Sequence, residues 1–226
     1  MSSDKQEVTR VTRSKEDAKN SYDKMSKWYD LMAKPEKKYV TIGVEKLDIN
    51  DGENVLEIGF GTGDALLKLA NKVGDSGLVY GIDISEGMLE VARSKLDKAE
   101  LTGRTKLILG DASKLPFEDD FFNALFMSFT LELFDTPEIP VLLRECKRVL
   151  KTGGRIGVVA ISDRKDDNVM MRLYKWVHMK FPAYVDCRPI FTEEELQKSG
   201  FEIKHVEKHT MWDLPVDIVV AVKNSN

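Results

Sequence analysis

The chain has 226 residues, 42% of them hydrophobic, and a formal net charge of −4 at pH 7. This length fits one large α/β domain or a domain with a modest appendage, and the composition allows a sizeable core. The net charge gives no reason to expect a nucleic acid as partner. No apolar run reaches the ~18 residues of a membrane span, and two cysteines without metal-type spacing favour a reduced, cytoplasmic protein that binds no metal.

The N-terminal part is predicted to be helical after a polar start. Residues 1–14 carry mixed charge and hardly any apolar side chain, so they are interpreted as a flexible tail. From Lys15 onwards apolar residues recur at helical spacing until Pro35 interrupts them. A second helix is expected from Glu36 to Leu47, before a turn signal at residues 50–52.

A glycine-rich stretch follows the first predicted strand. Val55 to Ile58 form an apolar run of strand length, and Gly59, Gly61 and Gly63 follow directly, before a helical segment that begins near Asp64. Glycines permit positive φ and lack a Cβ atom, so a ligand can approach the backbone N–H groups at the helix N-terminus. The stretch therefore suits a carboxylate or phosphate, although a simple strand-to-helix turn would need the same glycines.

Strands and helices alternate over the next hundred residues, which predicts a parallel sheet with right-handed crossovers. Strands are expected at 78–83, 106–109, 121–128 and 155–161, with helices at 86–101 and from Pro137 to a glycine pair at 153–154. After an irregular region, a capping box at Thr192–Glu195 predicts a short helix. Two strand-like runs, 201–208 and 216–222, complete the pattern.

Acidic residues stand where three of these strands end. Ligands of open α/β sheets bind at the carboxyl ends of the strands, and Glu57, Asp83 and Asp111 occupy those ends. Asp83 could accept hydrogen bonds from a ribose diol, and Asp111 with the N–H of Ala112 could read an adenine edge. Together they predict a nucleoside-type pocket, although single Asp residues after strands often serve as turn or capping residues.

The ordered motifs resemble those of class I S-adenosylmethionine-dependent methyltransferases. The resemblance covers about residues 55–161 and rests on Glu57-Ile58-Gly59-Phe60-Gly61-Thr62-Gly63, Gly81-Ile82-Asp83-Ile84-Ser85 with Gly87-Met88-Leu89, Gly110-Asp111-Ala112, Leu115-Pro116-Phe117 and Arg148-Val149-Leu150-Lys151-Thr152-Gly153-Gly154. The segments Tyr22–Met25 and Trp28–Met32 are similar to the ubiquinone/menaquinone C-methyltransferase branch. The resemblance implies a Rossmann-like doubly wound sheet of seven strands, mostly parallel, with an antiparallel last strand.

The resemblance also implies a site for S-adenosyl-L-methionine. Glu57 would help to hold the ammonium of the cofactor, Asp83 would bind its ribose, and Asp111 with Ala112 would read its adenine. The full set of implied cofactor residues is Tyr22, Tyr29, Glu57, Gly59, Phe60, Gly61, Gly63, Asp83, Ile84, Met88, Asp111, Ala112 and Ser128. Within a methyltransferase domain at 15–226, residues 15–48 would form a helical lid and residues 162–191 a substrate cap.

The methyl acceptor is predicted to be a small apolar or lipid-like molecule, either a quinone- or quinol-type ring or a lipid amine. The motivation is the segment Asp167–Phe181, which is too apolar around its circumference for a helix with one buried stripe. Phe129, Tyr174, His178 and Arg188 are the predicted substrate residues, and peripheral membrane contact or an oligomer would fit the same surface. If a base is needed, His178 and Asp186 are the candidates.

The chain departs from the quinone branch at two places. Residues 33–38 replace a typical Ser-x-Gly-x-His-Arg-x-Trp stretch, and residues 129–132 replace Gly-Leu-Arg-Asn. Two alternatives to a methyltransferase also bind a nucleoside-type cofactor. An NAD-dependent dehydrogenase also uses glycines and a ribose-binding acid, but the GxGxG spacing and the Gly110-Asp111-Ala112 motif argue against it. The second alternative is a regulatory subunit that binds the cofactor and has no catalytic activity.

Overall fold

A computed structural model describes residues 10–11, 13–163, 171, 174, 176 and 187–224. The helices are α1 (Lys15–Met32), α2 (Lys37–Lys46), α3 (Asp64–Lys72), α4 (Glu86–Lys98), α5 (Ile139–Val149) and α6 (Thr192–Lys198). The strands are β1 (Asn54–Ile58), β2 (Leu78–Asp83), β3 (Thr105–Leu109), β4 (Phe122–Ser128), β5 (Leu150–Ile161), β6 (Glu202–Met211) and β7 (Leu214–Val222).

The strands form one seven-stranded sheet in the order β3-β2-β1-β4-β5-β7-β6. The first five strands in this order pair in parallel, and β7 pairs antiparallel with both β5 and β6. This arrangement confirms the predicted Rossmann-like fold with its antiparallel last strand. The strand order reverses between β1 and β4, and such a switch point opens a crevice at the carboxyl ends of the strands.

Helices cover both faces of the sheet. The apolar sides of α2, α3 and α4 pack on one face, and those of α5 and α6 pack on the other. In α5 the spacing i, i+3, i+4, i+7 and i+10 places one stripe entirely inside, formed by Ile139, Leu142, Leu143, Cys146 and Val149. Each such buried side chain contributes roughly 1.5–3 kcal/mol of transfer free energy.

Two predicted boundaries differ from the structure. The glycine pair expected to end α5 lies inside β5, which begins at Leu150, because Gly153 and Gly154 exchange backbone hydrogen bonds with Lys223 at an irregularity of the ladder. The capping box at Thr192 does not form. Thr192 is the first helical residue and is buried, and its Oγ1 lacks a hydrogen-bond partner within the described chain.

The predicted lid is divided between two roles. Helix α1 packs along α4, whereas α2 is part of the core because Tyr39, Val40 and Val44 are buried. The end of the predicted tail is held in place, since Arg10 and Val11 both bind Asp135.

The two ends of the predicted cap, residues 162–191, lie next to each other beside the sheet. Ser162 and Ile190 form a parallel bridge there, beside the carboxyl end of β5. No helix among the residues described is long and apolar enough to cross a membrane.

Candidate active site

A cavity of about 250 Å³ opens at the carboxyl ends of the parallel strands. It lies between the ends of β1, β2 and β4 and the inner face of α1. Of the predicted cofactor and substrate residues it brings together Tyr22, Tyr29, Gly59, Gly61, Asp83, Ile84, Met88, Asp111, Ala112, Ser128 and Phe129.

A smaller recess adjoins this cavity. Glu57 and Phe60 line it, and it shares Tyr29, Gly59, Gly61 and Ser128 with the larger cavity. Phe60 itself is buried in the core. Gly63 lines neither space; it is the N-cap of α3, with φ of 86°.

The glycine loop is shaped by positive φ angles and by one close approach. Gly59 and Gly61 have φ of 70° and 51°, which favour glycine. A Cβ atom on Gly59 would lie 2.4 Å from Cγ2 of Thr130, which follows β4. The loop after β1 therefore depends on a glycine to fit beside the segment after β4.

Asp83 organises the glycine loop in addition to lining the cavity. One carboxylate oxygen accepts the backbone N–H of Gly61, and the other accepts that of Ser85, each at 2.9 Å. Burial raises the pKa of Asp83, while these backbone hydrogen bonds act in the opposite direction. Each oxygen retains acceptor capacity, so the carboxylate can also accept hydroxyl groups from a ligand. The structural role of Asp83 was not predicted from its position after β2.

Glu57 is a buried carboxylate at the end of β1. Its side chain is 1% exposed, and Oε2 has no hydrogen-bond partner in the described part of the chain. Burial, together with the nearby charges of Asp83 and Asp64, raises the pKa of Glu57 well above its ordinary value. A buried unpaired carboxylate is costly and is stabilised by a cation that donates hydrogen bonds to it.

The predicted adenine end of the cavity is apolar except for one carboxylate. Ile84, Met88 and Ala112 line it together with Asp111. Asp111 accepts hydrogen bonds from Lys15 Nζ and from the N–H of Ser113, each at 2.8 Å. Partial burial acts to raise the pKa of Asp111, but the hydrogen bonds from Lys15 and Ser113 together outweigh it, so that pKa is lowered.

Two aspartates dock α1 over the cavity. Asp23 accepts hydrogen bonds from Ser85 Oγ at 2.6 Å and from the N–H of Gly87 at 3.0 Å, at the start of α4. Two turns later, Asp30 accepts from Thr62 Oγ1 at 2.6 Å and from Lys95 at 2.8 Å. These contacts place Tyr22 and Tyr29 on the cavity wall, with ring centroids 6.3 Å apart.

The roles of Asp23 and Asp30 were not predicted, although the sequence signal is visible in retrospect. Both residues lie within the Tyr-Asp segments that suggested the family branch, one residue after Tyr22 and one after Tyr29.

Arg10, Val11, Arg13 and Ser14, which we call the strap, precede α1 and line the cavity together with Lys15. Arg10 donates three hydrogen bonds to Asp135, two from Nε and one from Nη2, at 2.6 to 3.0 Å, and Lys15 contacts Glu138 at 3.1 Å. Asp135 has its pKa lowered to about 2, chiefly by the hydrogen bond from Arg10. No local pattern could have predicted this pairing, because Arg10 and Asp135 are 125 residues apart.

The predicted substrate residues lie at different depths. Phe129, with φ of 50°, lines the cavity beside Leu133 and Phe134. Tyr174 donates a hydrogen bond to the carbonyl of Cys187, and the fully buried Arg188 donates one to the carbonyl of Phe134. Tyr174 and Arg188 thus support the cavity wall from behind. His178 and Asp186 lie outside the described residues.

The residues present fit S-adenosylmethionine. The unpartnered oxygen of Glu57 offers an acceptor for the ammonium group, and Asp83 offers acceptors for the ribose hydroxyls. Ile84 and Met88 offer apolar surface for the adenine, and the glycine loop lets a ligand approach the backbone. No group of three metal-ligating side chains is found in the portion of the chain described.

Comparisons with known proteins identify the family of the chain. Residues 55–154 match a family described as a methyltransferase domain. A demethylmenaquinone methyltransferase of Lactococcus lactis is 32% identical over 179 residues, which are 70% of this chain and 69% of that protein. One of Bacillus mycoides is 38% identical over 110 residues, 49% of this chain, and the match spans 45% of that relative's length.

The fold is shared with solved structures. A SAM-dependent methyltransferase of Aquifex aeolicus superposes with a TM-score of 0.63 at 21% identity, covering 88% of this chain and 98% of the other. The extended match to the Lactococcus lactis protein, together with the motifs and the site, establishes the family. The chain belongs to the class I S-adenosylmethionine-dependent methyltransferases, in the branch of the demethylmenaquinone methyltransferases.

Proposed function

We propose that this chain transfers the methyl group of S-adenosylmethionine to a ring carbon of a quinol-type acceptor that carries an apolar tail. The observation that carries the proposal is the 32% identity over 70% of the chain with a protein named demethylmenaquinone methyltransferase. The apolar wall of the cavity, formed by Phe129, Leu133 and Phe134, supports it.

The chain's own residues contribute mainly binding and orientation. Glu57, Asp83 and the glycine loop would hold the cofactor, which when bound supplies an electrophilic methyl group. Tyr22 and Tyr29 would cover the reacting groups and exclude water. Positioning of two reactants can contribute ~7–11 kcal/mol to such a transfer when the geometry is near-attack.

The charged groups at the cavity mouth serve to hold the lid. Asp111 and Glu138 both pair with Lys15, and Asp135 pairs with Arg10. Because Asp135 and Glu138 are each paired with a basic side chain of the N-terminal segment, the acceptor side of the cavity offers mostly apolar contact. This favours an aromatic ring with a hydrocarbon tail over a charged lipid amine.

The first test is cofactor identity. We expect S-adenosylhomocysteine to raise the melting temperature of the chain and NAD to leave it unchanged, since a ligand that binds only the native state stabilises it. Stabilisation by NAD instead would favour the dehydrogenase alternative.

The second test is the acceptor. The chain would be incubated in detergent with labelled S-adenosylmethionine and either a short-tailed demethylmenaquinol or phosphatidylethanolamine, and products identified by mass spectrometry. We expect label on a ring carbon of the quinol. Label on the amine alone would contradict the proposal, and absence of transfer to any acceptor in cell extract would favour the regulatory-subunit alternative.

A further inference from the structure

Helix α1 has an outer face that is apolar where a solvent-facing helix is normally polar. Trp28, Leu31 and Met32 are 71%, 73% and 52% exposed, and Lys24 and Lys27 are exposed beside them. At 100° per residue these five side chains share an arc of roughly 140°, opposite the arc that carries the cavity-facing tyrosines. We call this set the outer face of α1.

The charge around the outer face is opposite to that of the protein. Residues 18–38 contain six lysines and three carboxylates, although the chain as a whole has a net charge of −4. Asp23 and Asp30, two of the three carboxylates, are engaged with α4 and the glycine loop. Lys24, Lys27 and Lys34 form no ion pair with any of the residues described, so their charge is presented to the surroundings.

We propose that the outer face of α1 docks on the surface of an anionic phospholipid bilayer. Trp and Leu side chains flanked by lysines are typical of helices that lie in the membrane interface, where apolar side chains enter the acyl boundary and ammonium groups meet anionic headgroups. Charge complementarity selects this partner over a second copy of the chain, whose matching face would carry the same positive charge.

The docking would connect the membrane to the cavity through one helix. Tyr22 and Tyr29 line the cavity from the inner side of α1, while Trp28 and Leu31 project from its outer side. A helix held in the interface therefore brings the cavity mouth to the bilayer. This consequence rests on the proposed function, since it places a lipid-like acceptor beside its site, but the docking itself requires no acceptor.

The experiment is co-sedimentation of the full chain with vesicles of phosphatidylglycerol and phosphatidylcholine, compared with phosphatidylcholine alone. Lys24→Ser/Lys27→Ser is expected to weaken binding to the anionic vesicles about 30-fold, from ~1 kcal/mol per lysine near such a surface. Trp28→Ser/Leu31→Ser should weaken it at least as much. Raising the salt concentration should weaken wild-type binding, because it screens surface charge.

The matched control is Val141→Ser/Arg144→Ser, which removes one exposed apolar and one exposed basic side chain from α5 on the opposite face of the sheet. It should bind vesicles like the wild type. Circular dichroism confirms that each variant is folded.

Three outcomes would overturn the proposal. They are a wild type that does not pellet with anionic vesicles, outer-face variants that pellet like the control, and outer-face variants that lose a dimer on gel filtration while pelleting is unchanged. The assay contains neither cofactor nor acceptor. Failure of the proposed methyl transfer, which is measured in detergent, therefore leaves this result unaffected.

Discussion

The cofactor end and the acceptor end of the cavity are built in different ways. Around the glycine loop at the cofactor end, the contacts of Asp83 join residues close in the chain, since Asp83 is 22 residues from Gly61 and two from Ser85. At the acceptor end, contacts span long distances, such as the 125 residues between Arg10 and Asp135. The glycine loop is therefore encoded by local motifs, whereas the pairing of Arg10 with Asp135 forms only with the tertiary fold.

The two ends also differ in how their charges are satisfied. At the acceptor end, the carboxylates of Asp135 and Glu138 are paired with basic side chains of the N-terminal segment. At the cofactor end, Glu57 keeps a buried oxygen without a partner among the described residues. This difference indicates that the cofactor end is completed by a ligand and the acceptor end by the chain itself.

Glu57→Gln tests this difference most directly and should have the largest effect. Removing one partner of a buried charge pair typically costs 2–5 kcal/mol, so we expect S-adenosylhomocysteine to bind about 100-fold more weakly or worse. Calorimetric titration measures the affinity. An unchanged affinity in a folded variant would show that Glu57 does not hold the ammonium group.

The same substitution should change how stability depends on pH. The folded-state pKa of Glu57 lies above its ordinary value of 4.5. Its contribution to stability is therefore fully present below about pH 4.5 and is lost as pH rises through the raised pKa. Without cofactor, the free energy of unfolding of Glu57→Gln should fall less than that of the wild type as pH rises towards 8.

The control for both measurements is Glu53→Gln, at the position immediately before β1. Glu53 pairs with Arg155 and has a lowered pKa. Its loss should reduce the free energy of unfolding and leave cofactor affinity unchanged.

The contact between Gly59 and Thr130 is where the two ends meet, and it provides the second test. Gly59→Ala would combine positive φ with a Cβ atom against Thr130. We expect a loss of about 2–4 kcal/mol in the free energy of unfolding, from left-handed strain and overpacking.

Thr130→Ala in the same chain should restore about 1–2 kcal/mol, since residues in contact couple by that order. Gly103→Ala is the control, because a Cβ there meets nothing within 4 Å. If the double variant is as destabilised as the sum of the single variants, the two ends are not coupled through this contact.

The sequence predicted the cofactor end better than the acceptor end for a physical reason. The strand–glycine–helix pattern and the acids after β1, β2 and β3 depend on periodicity and backbone conformation, which are local properties of the chain. The docking of α1 by Asp23 and Asp30, and the strap held by Arg10, depend on pairings set by the tertiary fold. Thr192 failed as a cap for a similar reason, since core packing determined its environment.

Asp83→Ala should have the third-largest effect. Charge-assisted hydrogen bonds to the ribose contribute ~1.5–3 kcal/mol, so S-adenosylhomocysteine should bind roughly 10- to 150-fold more weakly. Asp83→Ala also removes the acceptor for the N–H of Gly61 in the glycine loop. Asp83→Asn keeps one side-chain oxygen, so its loss of affinity for S-adenosylhomocysteine should be smaller. Asp97→Ala, at an exposed position of α4, is the control. Equal affinity of the Ala variant and the wild type would contradict the ribose assignment.

The smallest expected effect concerns the strap at the acceptor end. Arg10→Ala removes the paired guanidinium from Asp135, and because this arginine is exposed, the ligand should dissociate only about two- to fivefold faster. Stopped-flow release of S-adenosylhomocysteine measures the rate, and Lys198→Ala, which breaks a surface ion pair with Glu195 on α6, should leave it unchanged.

The pKa of Asp135 is lowered to about 2, so its pairing is complete above about pH 4 and is lost only as pH falls towards 2. The ratio of the variant and wild-type release rates should therefore be constant from pH 5 to 8. A ratio that varied across this range, or a variant that released ligand at the wild-type rate, would show that the strap does not close the cavity.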